Sequence, residues 1–169
     1  MKTSIKTVKI ILLGLLTATL IYPFLHESGH SIFAIICGGR ILEFNLFPIP
    51  NILCDMTDAN VISFILIGSG GMIFPFFLSA VTHPRSFAIW YINLMLKFIS
   101  MLAFGISIVA IILYKFNRPL VNEDVTNVLM HASGSWILIL FGCIIAEIIL
   151  IVSIIKSKPI KKIERYYAM

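Results

Sequence analysis

The chain has 169 residues, of which 59% are hydrophobic and 12% charged, with a mean hydropathy of +1.02 and a net charge of +5. So few polar side chains cannot clothe a water-soluble globule, which excludes a soluble enzyme or carrier and leaves an integral membrane protein. In a soluble chain the basic balance would point to nucleic acid. Here Lys156, Lys158, Lys161, Lys162 and Arg165 directly follow an apolar run, so anionic lipid headgroups of the bilayer are the expected partner and nucleic acid is not.

The first apolar run, residues 8–37, is long enough at roughly 1.5 Å per residue that it must tilt, kink or protrude from a hydrocarbon core of about 30 Å. Lys2, Lys6 and Lys9 ahead of it resemble a secretory signal, but no small-x-small site precedes Tyr22 and Pro23, so the segment is expected to stay. Pro23 predicts a kink and Gly38-Gly39 a helix end. Between Arg40 and Asn60, Pro48, Pro50, Asn51 and an alternation of apolar and polar residues predict a short extended or β-hairpin element at the membrane surface.

The second span, 61–81, carries Gly68-Ser69-Gly70-Gly71 and Pro75, small residues that allow close packing against the first helix. His83-Pro84-Arg85 makes a tight turn into the third span, 88–114. A polar loop from Lys115 to Met130 leads to the fourth, 131–155, and the basic tail. Lys97 and Glu147 are expected at similar depths in the third and fourth spans, where pairing would relieve the cost of buried charge. Cys37, Cys54 and Cys143, odd in number and without CxxC spacing, predict neither a disulfide framework nor a zinc knuckle.

The expected fold is a single all-α membrane domain over residues 1–169 with about four transmembrane helices. Four spans put both termini on one side. That side carries Lys2, Lys6, Lys9, Arg85 and the basic tail, against Arg40, Lys115 and Arg118 on the other, so the positive-inside rule predicts a multi-pass cell-membrane protein with cytoplasmic termini.

Within the first run, residues 26–30 read HESGH, an HExxH pattern. On a helix His26 and His30 lie one turn apart on one face and can grip a single Zn2+, with Glu27 beside them to accept a proton from a water the cation activates. The plain alternative is a pair of polar histidines satisfied by their neighbours in the bundle. A catalytic zinc takes three protein ligands, and soluble-enzyme spacings fail: the candidate positions are Ile36 for a third histidine and the neighbourhood of Pro50 for a glutamate. Among the carboxylates, Glu147 lies too far toward the terminal side. Asp124 stands where a loop re-enters the bundle on the histidines' side, with Thr126 and Asn127 as candidate supporting partners. Asp124 is the expected third ligand, with Glu123, Asp55 and Asp58 as alternatives and His131 as a substitute or supplement. The competing role for Asp124 is an N-cap of a short helix.

From His26 to Arg40 the sequence HESGHSIFAIICGGR resembles the site-2 protease group of intramembrane zinc metalloproteases, peptidase family M50. The family pattern is HExGH, then small and apolar residues and a Gly-Gly turn into a membrane-associated β segment. The resemblance implies zinc ligation by His26 and His30, Glu27 as base and a membrane-protein substrate cleaved in or near its transmembrane segment. Ile67-Gly68-Ser69-Gly70-Gly71 is similar to the family's small-residue motif, without its Ala-Gly-Pro and Asn. The family's third ligand is an aspartate within Leu-Asp-Gly; Glu123-Asp124-Val125 is the nearest positional counterpart here. Two rivals remain at this stage: an inactive relative that binds membrane partners, and a metal-ion transporter or sensor with histidines along its path.

Overall fold

The structure is a computed structural model that describes residues 2–56, 60–82, 84–121 and 123–168. It is an all-α membrane protein in which four helices are long and apolar enough to cross a membrane, with a two-stranded antiparallel hairpin after the first. Many large apolar side chains lie on the outer surface, such as Ile36, Leu102 and Leu138, as expected where lipid rather than water is the solvent.

The first rod comprises α1 (Lys2–Leu16), a π-helical turn (Thr17–Ile21) and α2 (Tyr22–Ile36). Pro23 explains the π turn. It has no N–H to give Thr19 and its ring crowds that carbonyl, so the helix widens and the Tyr22 N–H bonds to the Thr17 carbonyl instead. Gly38 adopts φ +85° and ends α2 in a Schellman turn: its N–H reaches the Ile35 carbonyl at 3.0 Å, and the Gly39 N–H reaches Ala34 at 2.8 Å. The chain then forms β1 (Arg40–Asn45) and β2 (Asn51–Asp55), paired from Arg40↔Asp55 to Asn45↔Asn51 with an irregularity between Ile41 and Glu43.

Helix α3 (Val61–Val81) starts on Asn60, whose side chain accepts from the Ser63 N–H at 2.9 Å. Helix α4 (Phe87–Lys115) starts on Ser86. It ends in a second Schellman turn, with Asn117 at φ 57° and the Arg118 N–H on the Leu113 carbonyl at 2.9 Å. The expected polar loop before the fourth span instead contains a helix, α5 (Asp124–His131), whose Val125, Val128 and Leu129 are buried. The fourth apolar helix, α6 (Trp136–Lys156), therefore begins five residues after the expected 131, past a break at Ala132 (φ −137°, ψ 48°) and a 3-10 turn. The basic tail forms α7 (Pro159–Ala168). The core joins α3, α4, α5 and α6 through Met72, Phe104, Ile111, Leu129, Cys143 and Leu150.

All three cysteines are free thiols. Lys97 and Glu147 do not pair: Glu147 Oε1 lies against Gly105, whereas Lys97 lines a cavity with Trp90, Asn93 and Lys162. Equal depth does not fix which way a residue faces around its helix, and these two face different neighbours.

Candidate metal centre

Helices α2 and α3 touch through glycine. A Cβ on Gly29 would stand 2.7 Å from the Gly70 carbonyl carbon, and one on Gly70 2.8 Å from the Gly29 oxygen, so neither position admits a side chain without parting the helices. This contact sets α3 directly behind the two histidines. A Cβ on Gly71 would stand 2.7 Å from His26 Cε1 and collide with the His30 ring.

The ring nitrogens are fixed in role by their partners. His30 Nδ1 lies 2.6 Å from the Ile67 carbonyl, which only accepts, so Nδ1 carries the proton and a neutral ring presents a bare Nε2. That Nε2 lies 3.1 Å from His26 Nε2. His26 is held by packing: the Tyr22 ring stacks on it at 5.9 Å between centroids, and its buried Nδ1 has no hydrogen-bond partner among the described residues.

Helix α5 brings in the third group. Asp124 Oδ2 lies 3.0 Å from His26 Nε2 and 3.3 Å from His30 Nε2. Burial pushes the Asp124 carboxyl up, but its contacts with His26 and His30, through the positive charge these rings carry when protonated, outweigh it and hold the group well below the usual carboxylate range. Two ring nitrogens and a carboxylate oxygen thus lie close enough together to hold one cation. Tetrahedral zinc with ligand bonds of about 2.0–2.1 Å has ligand–ligand edges of roughly 3.3 Å, close to the 3.0–3.3 Å separations here, and imidazole with carboxylate is a zinc donor set. The residues fit that ion.

Glu27 is buried at 6% exposure and lines, with His30 and Asp124, an open cleft of about 610 Å³. Asn51, Ile52 and Cys54 of β2 form another part of its wall. The size suits a peptide segment rather than a single ion.

The other candidates fall elsewhere. Glu123, not Asp124, is the N-cap of α5: its Oε2 accepts from the Thr126 N–H at 2.7 Å and hydroxyl at 3.0 Å, and its Oε1 from Ser107 at 3.1 Å. Thr126 therefore serves Glu123 rather than Asp124. Asp55 ends β2 opposite Arg40, and Asp58 lies outside the described residues. His131 stacks on Phe64 at 4.3 Å and bonds the Asn127 carbonyl at 2.9 Å, on the cleft wall but outside the three-atom cluster.

The sequence reading missed the Ile67 carbonyl, which orients His30, because a main-chain acceptor has no sequence signature. It also missed Tyr22 against His26, although the 22, 26, 30 spacing places all three on one helical face. No family model matches the chain, and no curated protein or solved structure shows a significant similarity to it.

Proposed function

We propose that the chain is a multi-pass intramembrane zinc metalloendopeptidase that cleaves membrane-protein substrates in or near their transmembrane segments. The observation that carries this reading is the meeting of His26, His30 and Asp124, from helices nearly a hundred residues apart, beside a buried glutamate in a cleft large enough for a peptide. The HExGH pattern and the Gly-Gly turn into a hairpin, shared with the site-2 protease group, favour the same chemistry. His26 lies about ten residues before the end of its apolar span, roughly 15 Å along the axis, which favours a reaction within or next to the bilayer.

When bound, the zinc acidifies a water and polarises a carbonyl. The chain supplies the rest. His26, His30 and Asp124 would hold the ion, beside the cleft that His30 and Asp124 line. Glu27, on the turn between the histidines and facing the same cleft, takes the proton from the attacking water and returns it to the departing amine. A transmembrane helix protects its own amides, so the substrate must be unwound before attack. β2 pairs with β1 on one edge only, and its other edge is available to an extended strand along the cleft. The charge bias favours cytoplasmic termini, with the cleft toward the opposite face.

The test is Glu27→Gln in cells expressing a membrane substrate. The amide fills the same space and leaves the three ligands intact, so the purified variant should keep its metal while cleavage is lost. Cleavage at the wild-type rate by the metal-loaded variant would remove Glu27 from the chemistry.

A further inference from the structure

At the other end of α3 from the candidate metal centre, four cations gather: Arg85, Lys97, Lys162 and Arg165. Arg85, Lys162 and Arg165 line a cavity of about 240 Å³ whose other walls include Phe87, Trp90 and Tyr166. A second cavity of about 130 Å³ shares Pro84, Trp90 and Lys162 with the first and reaches inward to Asn93 and Lys97. Among the described residues, no Asp or Glu lines either one.

This is a built site, not a loose tail. The turn at Lys158 (φ 48°) folds α7 back onto the start of α4. There the Tyr166 ring stacks on Phe87 at 3.7 Å, and Lys162 Nζ lies over the Trp90 ring at 5.0 Å. Lys6 Nζ donates to the carbonyls of Tyr166 and Tyr167 at 3.1 and 3.4 Å, tying the end of α7 to α1. The second cavity's floor is also fixed, because the Asn93 amide donates to the Ser79 carbonyl at 2.8 Å and to the Thr82 hydroxyl.

Lys97 makes the arrangement costly unless an anion is present. It lies about ten residues into an apolar span, roughly 15 Å from its start, and the charge it faces across the small cavity is another cation, Lys162. An anion between them removes both the repulsion and the bare charge. The surroundings choose its kind. Phe87, Trp90 and Tyr166 give the cavity an aromatic wall of the kind found at headgroup depth, and Ile89 and Phe98 on α4 are exposed apolar side chains. An ion carrying its own acyl chains satisfies both the cations and these apolar faces.

We propose that the two joined cavities bind the phosphate of an anionic phospholipid headgroup, with Arg85, Lys162 and Arg165 at the mouth and Lys97 at the base. The site stands whether or not the metal centre is proteolytic.

The experiment is native mass spectrometry of the full chain in detergent, titrated with phosphatidylglycerol, with phosphatidylcholine and with inorganic phosphate. Phosphatidylglycerol should bind at least about tenfold more tightly than phosphatidylcholine, and millimolar phosphate should not displace it. Each of Arg85→Gln and Lys162→Gln should weaken that binding about fivefold, the loss expected per cation near a headgroup. Lys161→Gln, which removes the same charge from an exposed position outside both cavities, should change it less than about twofold. Lys97→Met should weaken binding at least as much, and Lys97→Arg should restore it; if Lys97→Met fails to fold, the two mouth variants decide. Equal losses in Lys161→Gln and Lys162→Gln would reduce the effect to diffuse attraction and overturn the site. Displacement by inorganic phosphate, or no preference over phosphatidylcholine, would overturn the lipid as its ligand.

Discussion

Replacing Gly71 with alanine isolates the α3 wall behind the histidines without touching any ligand. The added methyl would stand 2.7 Å from His26 Cε1, and ordinary contact begins at about 3.4 Å, so that ring must retreat by about 0.7 Å, or α3 must withdraw by more, because the His30 ring is closer still. His30, on which the added carbon closes further, is also more tightly constrained, because its Nδ1 bonds the Ile67 carbonyl of the same helix at 2.6 Å and a retreat of the ring strains that bond. Metal–ligand distances tolerate shifts of about 0.2 Å, so the ligand geometry fails before the fold does. We expect a stability loss of about 1–3 kcal/mol by thermal melting, as for other overpacked helix contacts. Zinc affinity, measured by competition with a chromophoric chelator, should fall about 100-fold, the upper end of what lost support for a metal ligand costs. Gly142→Ala, where an added Cβ meets nothing within 4 Å, is the matched control and should leave zinc binding unchanged. A folded Gly71→Ala protein that binds zinc like the wild type would refute the close approach of α3 to the two rings.

The carboxylates of α5 and the hairpin should separate by role. Asp124→Ala should abolish stoichiometric zinc, Asp55→Ala should leave it intact, and Glu123→Ala should lower the melting temperature through loss of an N-cap worth about 1 kcal/mol. Zinc analysis and melting curves on the three variants check this; zinc loss in Asp55→Ala with retention in Asp124→Ala would reverse the assignment. Because Lys97 and Glu147 face different neighbours, the stability losses of Lys97→Met and Glu147→Gln should add in the double variant to within about 0.5 kcal/mol. Recovery in the double variant would show that the two charges meet.

Much of the site was legible because charge is scarce in this chain. Few carboxylates were available to complete the HESGH pair, and Asp124 could be reached by position alone. What position could not do was separate Asp124 from Glu123. One peptide apart, they leave the helix start in different directions, one onto the histidines and the other onto the Thr126 N–H and Ser107. Helix α5 stood in the sequence only as the alternative in which Asp124 caps a short helix, because eight residues with a polar first turn look like loop, although the spacing of Val125, Val128 and Leu129 marks one apolar helical face. The hairpin was legible through its alternation and prolines. The Lys97–Glu147 pairing failed because apolar spans carry little amphipathic signal, so the sequence gives depth along a helix but not its rotation. The π turn illustrates the same limit: Pro23 marks that the helix must yield nearby, and only packing decides that it widens over Thr17–Ile21.

X-ray absorption at the zinc edge, on protein purified without chelator and carrying one zinc per chain, tests the metal centre most directly. The account predicts a first shell of nitrogen and oxygen near 2.0–2.1 Å, with two imidazole signatures and no sulfur, as expected for His26, His30 and Asp124. Absence of zinc from such protein, or a sulfur scatterer at about 2.3 Å supplied by Cys54 on the cleft wall, would contradict it.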